Sequence, residues 1–343
     1  MARTGASSNA TRKAWAQDIW RESLRDTLLE KMISSGIVQV KNNFTKEKGD
    51  NLTYYLRTQQ TGDPREGDEA LTGHEEELEY YDDSVTLNYY KHAVRLEGRM
   101  AEQKLNFNLR EEARESQVEW WRWFLENRAI RIACGDYSVR VGSTSSAPTS
   151  GRVIYCGDQT TVAGVHGDSA EILQVHDIRR AKLTAEAASP RVEPLRTQNG
   201  SYKYVMIVHP NDLFNLQSDT EWQNAQLYAR NRGPENFIHT GAAGEVYGVE
   251  IWVSEHIPQG HSSGTYYSNT RAPVLLGKNA LLLAYGPGPW YDEDTTSDEA
   301  DFGDRIGFRV ARILGIKKAV FNSKDNGTVV VYSYAATPSG ESR

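Results

Sequence analysis

Hydrophobic positions first recur at helical spacing between residues 15 and 33. Trp20, Leu24, Leu28 and Met32 follow one another at four-residue intervals, with Arg21, Arg25, Asp26 and Lys31 between them. The spacing predicts one helix stopped by Gly36. Trp15, Trp20 and Leu24 on it call for burial, either against the chain's own core or as an arm on another subunit. A short apolar run at 52–56 predicts a strand, and 58–73 is a loop of Thr, Gln, Gly, Asp, Pro and Glu. Partial alternation from 75 to 96, through Leu78, Tyr80, Val85, Leu87, Tyr89 and Val94, predicts a long second strand. Together these segments describe a two-stranded excursion. Between Asp63 and Asp83 it holds ten carboxylates and one arginine, so it cannot build a core of its own. A lone hairpin is marginal in water, so the excursion is either without order or held by something else, such as another subunit.

The longest periodic run covers 99–134. Leu105, Leu109, Ala113, Trp120 and Phe124 form one stripe and Trp121, Leu125 and Ile132 an adjoining one, without an internal Gly or Pro. At ~1.5 Å per residue such a helix is about 50 Å long. Seven basic and six acidic side chains are interleaved along it, which fits a solvated face or ion pairs between subunits. Residues 135–167 are rich in Gly, Ser and Thr and mark a boundary, with 142–151 a flexible loop. Beyond them the pattern predicts a helix at 171–188, a strand at 202–209 and short helices at 210–216 and 221–231. Strand-like runs follow at 246–253 and 274–285, then an acidic loop at 292–304. The runs 306–321 and 327–334 read as a closing antiparallel pair. The order is mixed α+β, with no regular βαβ alternation and no internal repeat.

Composition narrows the function classes. The chain has 343 residues, enough for two or three units, and a net charge of −7 argues against a surface given over to nucleic acid. The longest apolar run, 280–285, is far too short to span a bilayer, and no signal peptide opens the chain. Cys134 and Cys156 cannot form a disulfide framework or a zinc site, and suit a reducing compartment. Gly277-Lys278 looks like the end of a phosphate loop, but Ala272 and Asn279 occupy the other positions that loop requires. The eight histidines never pair at metal-binding spacings, and no nucleophile elbow or H-E-x-x-H occurs. Carboxylates beside aromatic rings, such as Glu119 and Asp292, show no spacing that selects an acid/base pair. No catalytic residue, cofactor or metal site is expected.

The order of arm, polar hairpin, very long helix, Gly-rich lobe and late strands resembles the major capsid proteins of tailed bacteriophages, the Hong Kong 97-like fold. The resemblance covers 38–334 and is most telling from Gly49-Asp50-Asn51-Leu52-Thr53 through the hairpin to Ala133. It looks most like the branch typified by phage N-four. Val274-Leu275-Leu276-Gly277-Lys278-Asn279-Ala280-Leu281 matches the family's late strand with its G-x-x-A turn. Asp304-Arg305-Ile306-Gly307 to Gly315-Ile316-Lys317-Lys318 matches its returning strand. The resemblance implies an N-terminal arm at 1–37, a first peripheral strand at 38–57 and an extended hairpin loop at 58–95. It further implies a spine helix at 96–134, an axial domain at 135–272, and late strands returning to the peripheral domain with a tail at 273–343.

The implied function is a non-enzymatic shell protein, assembling as hexamers and pentamers into an icosahedral head around double-stranded DNA. The implied partners are further copies of itself, a portal protein, a separate scaffolding protein and a cement or decoration protein, with non-specific DNA contact and no membrane. No long segment precedes the arm to act as a fused scaffold. The implied location is the virion, with assembly in the host cytoplasm. In that fold the hairpin lies over an adjacent subunit. Glu66, Asp68, Glu69, Glu75, Glu76 and Glu77 would then meet basic residues of a neighbour, with Arg110 and Arg114 of the spine helix as candidates. Arg3, Arg12 and Lys13 are candidates to face DNA. The competing readings are an encapsulin-type nanocompartment and a β-rich tail, fibre or carbohydrate-binding protein, which the uninterrupted helix argues against.

Overall fold

The computed structural model describes residues 8–25, 27–42, 49–57, 60, 62–68, 72–98, 103–104, 109–136, 140–141, 144–145, 147–196, 200–228, 244–262, 264–295 and 304–336. In chain order the first elements are α1 (Ser8–Leu24), α2 (Leu28–Ser34), β1 (Val38–Lys41), β2 (Asn51–Arg57), β3 (Tyr80–Thr86), β4 (Asn88–Arg95) and α3 (Leu109–Ala133). Next come β5 (Arg140–Val141), β6 (Thr144–Ser145), β7 (Val153–Tyr155), α4 (Val162–Gly167), α5 (Val175–Ala187), β8 (Leu195–Arg196) and β9 (Tyr202–Val208). α6 (Pro210–Ser218), α7 (Thr220–Tyr228), β10 (Glu245–Val246), β11 (Val249–Val253), β12 (Gln259–Ser262), β13 (Thr265–Arg271) and β14 (Val274–Leu276) follow. The last are β15 (Leu281–Tyr285), β16 (Trp290–Asp294), β17 (Gly307–Lys318), β18 (Val320–Phe321), β19 (Lys324–Asp325) and β20 (Thr328–Tyr334).

The helix expected at 15–33 is two helices. Thr27 sits in extended backbone between them, where its Oγ1 accepts from the Glu30 N–H at 3.1 Å and donates to the Leu24 carbonyl at 2.8 Å. One side chain thus closes α1 and caps α2, which satisfies backbone groups that helix ends leave open. Gly36, at φ +82°, ends α2 in the left-handed region as expected.

Two sheets carry the core. In the five-stranded sheet β17 is the hub: it pairs antiparallel with β4 over 307–314, with β16 over 307–311 and with β15 over 314–318, while β1 adds parallel to β15. The nine-stranded sheet runs β10-β11-β9-β14-β20-β13-β12, with β7 on β20 and β8 on β9. Among the described residues β5 pairs only with β6, and β18 only with β19.

The runs 306–321 and 327–334 do not pair with each other, because β17 and β20 are buried along most of their length and each is central to a different sheet. A mutual pair would have left both with a free edge. Only β18 and β19 close against each other, around Asn322 and Ser323 at positive φ. The segment 273–343 therefore does not return as one unit: β14 and β20 stay in the nine-stranded sheet while β15, β16 and β17 join the five-stranded one. The chain crosses between sheets at 277–280, where a Cβ on Gly277 would lie 2.5 Å from the Glu193 carbonyl oxygen. Likewise the expected strand 75–96 is two strands. β3 pairs with β2 and β4 joins β17, so the hairpin ends at Leu87. The start of the expected acidic loop, Asp292–Asp294, is strand β16. Asp292 is neutralised there by Arg309, and Asp294 by Arg95 at 2.9 Å.

Helix α3 lies on the five-stranded sheet, and Trp121, Leu125, Ile130 and Ile132 on it are fully buried. Of the expected extension over 99–108, residues 103–104 are described and are helical. The Trp121 ring meets Trp20 at 5.6 Å and Phe124 at 5.7 Å. Trp121→Ala is expected to destabilise the unassembled chain by about 3–5 kcal/mol in denaturant unfolding. Trp123→Ala, on the half-exposed face of the same helix, is expected to stay within about 0.5 kcal/mol of the parent.

Candidate functional site: assembly surfaces

The hairpin has an anchored root and a bare tip. At the root, β2 and β3 pair from Asn51 opposite Thr86 to Arg57 opposite Tyr80. Leu52, Tyr54 and Val85 are buried there with Leu282, Ala284, Ala319 and Phe321. The Tyr54 hydroxyl donates to the Leu283 carbonyl at 2.9 Å, and burial pushes its pKa up. Asp83, also buried, takes Lys317 Nζ on one oxygen and the Val320 N–H on the other at 3.0 Å. Beyond Arg57 the ladder stops, and every described residue from 60 to 80 is exposed. The two arms stay alongside each other, with Arg65 Nη2 at 2.7 Å from His74 Nδ1. Glu66, Asp68, Glu75, Glu76 and Glu77 are exposed on this part, and Glu69 lies outside the described residues. Backbone N–H groups of Glu75 itself and of Gly73, the latter at 2.7 Å, hold the Glu75 carboxyl below its usual range. Tyr55, Leu78 and Tyr80 are more than half exposed and form an apolar surface among the described residues.

The N-terminal helices behave differently. Trp20 is buried against Trp121 and Tyr285, Trp15 meets Tyr291 at 5.7 Å, and Leu24 is half-buried on the same cluster. The Arg312 guanidinium lies 4.0 Å over the Trp20 ring and 4.4 Å over Tyr285, a cation–π clamp; burial lowers its pKa to about 10. The arm thus covers the chain's own core. Arg114 is engaged in the same way: its guanidinium meets Glu22 of α1 at 2.9 Å within the chain. Around it the exposed positions of α3 include Glu111, Glu112, Glu115 and Glu119, so this face offers an acidic hairpin like charge. Arg110 is helical, and its side chain lies outside the described residues. Arg12 and Lys13 belong to α1 with side chains outside the described residues, and Arg3 lies outside them altogether.

A family model for phage capsid proteins matches residues 3–337. The chain belongs to the phage capsid protein family. It is 23% identical to the major capsid protein of Pseudomonas phage KPP25, over 95% of each chain. Solved capsids share the fold. The capsid of Ralstonia phage GP4 superposes with a TM-score of 0.72 at 22% identity, covering 90% of this chain and 89% of that one. Cyanophage Pam1 capsid superposes with a TM-score of 0.72 at 21% identity, covering 99% and 100%. The fold is the α+β, Hong Kong 97-like architecture, and the protein is a phage major capsid protein, a structural component of the virion shell.

Buried thiols and ion pairs inside this capsid protein serve its packing. Among the described residues no group of His, Cys, Asp or Glu is placed to hold a metal ion, and no helix is long and apolar enough to cross a membrane. Cys134 and Cys156 are both buried free thiols, pushed well above the usual range by burial. Lys318 and Asp325 form a fully buried ion pair at 2.9 Å, and Lys318 also donates to the Ala147 carbonyl. Asp325 accepts from the Thr149 N–H at 3.0 Å, so the pair pins the start of the Gly-rich lobe to the end of β17. Two partners escaped the sequence reading. Glu22 gave no signal, whereas Asp83 did: it stands two residues before Val85 in β3, on the buried face of a period-two strand.

Asp212, fully buried where α6 meets β20, accepts from Ser333 Oγ at 2.6 Å, and burial raises its carboxyl to about 7. The neighbouring His209 is lowered to about 4 by burial and by the charge of Arg271. From about pH 4 to 7 the folded chain keeps a proton on Asp212 that the unfolded chain has lost, so this group's contribution falls as pH rises through that window. His209 acts oppositely, costing stability as pH falls from 6.5 towards about 4. Asp212→Asn removes only the first effect. Chemical denaturation is expected to show the variant gaining on the parent between pH 5 and pH 8 by an amount on the order of 1–3 kcal/mol. An identical difference at both pH values would mean that Asp212 does not titrate there.

Proposed function

We propose that this capsid protein assembles as hexamers and pentamers, and that its hairpin is the element that joins one subunit to the next, closing an icosahedral head around double-stranded DNA. The observation that carries this reading is the contrast within the hairpin: a root locked by buried contacts and a tip with every described residue exposed. Such a tip gains burial only from a neighbour. Covering Tyr55, Leu78 and Tyr80 contributes roughly 1.5–3 kcal/mol per side chain, and each exposed ion pair about 0–1 kcal/mol. Small terms of this kind leave the monomer soluble and add up over a closed shell.

In this reading 38–57, 96–134 and β15 to β17 form the peripheral unit, 58–86 the extended loop, and 135–272 with β14 and β20 the axial unit. The N-terminal arm is seated on its own subunit through α1 and α2. Arg3, Arg12 and Lys13 face packaged DNA through non-specific contact. A portal protein, a separate scaffolding protein and a cement or decoration protein complete the head, which is built in the host cytoplasm.

Reversing Glu75, Glu76 and Glu77 to Lys is expected to abolish closed particles in negative-stain electron microscopy and light scattering, while the soluble chain keeps its helix content. An unchanged particle yield would sink the hairpin reading. Parent shells are expected to weaken as salt is raised from about 0.1 M to 1 M, where the screening length falls from ~10 Å to ~3 Å.

A further inference from the structure

A cleft rich in cations lies where the two sheets meet. It consists of two adjoining cavities of about 820 and 570 Å³. Its walls are the end of α5, the segment 189–196, the crossover at 277–279, the root of the hairpin and the turn between β18 and β19. Arg57, Lys182, Arg191, Arg196, Lys278 and Lys324 line it, against only two carboxylates, Glu186 and Glu193. Glu193 takes Lys278 at 3.3 Å and Glu186 takes Lys182 at 4.0 Å. Lys324 donates to the Ser189 carbonyl at 2.8 Å, which orients the ammonium without neutralising it. Arg57, Arg191 and Arg196 are exposed and make no ion pair among the described residues. In a chain with a net charge of −7, this concentration of cations attracts a partner of opposite sign.

We propose that the cleft is the seat for the hairpin tip of a second copy of this chain. The proposal rests on the hairpin reading above and adds the place on the neighbour where the tip lands. Charge complementarity selects the occupant: between 63 and 79 the described residues present seven exposed carboxylates with Arg65 and His74 among them. Among the described residues, none from 58 to 80 lines the chain's own cleft. Reach agrees as well, since the 22 residues between Arg57 and Tyr80 allow two arms of about 35 Å at ~3.3 Å per residue. The cleft also offers apolar contact for Leu78, through Pro194 and the exposed ring of Tyr202. Its wall is firm, because the Lys278 N–H donates to the Glu193 carbonyl at 2.8 Å.

The test reverses each side in the full chain. Arg191→Glu with Lys324→Glu is expected to lower shell yield about tenfold at about 0.15 M salt, and combining it with Glu75, Glu76 and Glu77 to Lys is expected to restore assembly. A second measurement pairs Glu76→Cys with Lys324→Cys. Mild oxidation of assembled shells is expected to give a ladder of intermolecular disulfides, with no background from the two buried native thiols. If the cleft-reversed chain assembles like the parent while the hairpin-reversed chain does not, the hairpin reading stands and this seat is wrong. If both assemble like the parent, the hairpin reading falls as well. Cleft-reversed shells formed at parental yield but holding less DNA would overturn the proposal in favour of a DNA-facing cleft. Absence of the disulfide ladder in intact shells would also overturn it.

Discussion

Burial of β17 along most of its length forces the rest of the arrangement. A twelve-residue strand buried on both faces along most of its length cannot tolerate a free edge, so it draws β4 to one side and β15 and β16 to the other. Helix α3 and the N-terminal helices then cover the sheet through Trp121 and Trp20. The last two residues of the strand project to opposite faces, as the period of two requires. Lys317 reaches the hairpin root at Asp83, and Lys318 turns inward to Asp325 and the start of the Gly-rich lobe. One strand therefore fixes the position of the hairpin, the long helix and the junction with the second sheet.

The distribution of charge follows from the same packing. Cations that the chain needs for its own fold, Arg312, Lys317 and Lys318, are turned inward and satisfied by rings, carboxylates and carbonyls. Other cations gather at the sheet junction, where they lie far apart in sequence and meet only because the crossover at 277–280 brings the two sheets together. The described carboxylates of the hairpin tip stay in water. Removing any of them into the chain's own core would cost several kcal/mol per ion without a matched partner. The monomer is thus net acidic, with the described anions of its hairpin tip exposed and a positive cleft beside the hairpin root.

Local pattern determined much of this protein. The helix stripe around Trp121, the apolar run at 281–285, the stop at Gly36 and the coreless acidic excursion were all legible, because each depends on residues close together in the chain. Their order along the chain carried the resemblance to phage capsids. Strand partnership was decided only by the tertiary structure. β17 and β20 read as a pair because they are neighbours in sequence, yet double-sided burial sends them to different sheets. The same holds for Arg114, which finds Glu22 across 92 residues, and for the cleft, whose cations run from Arg57 to Lys324. Periodicity reports which face of an element is buried; which surface covers that face is a long-range choice, set by edge saturation and by charges that have no common position in the sequence.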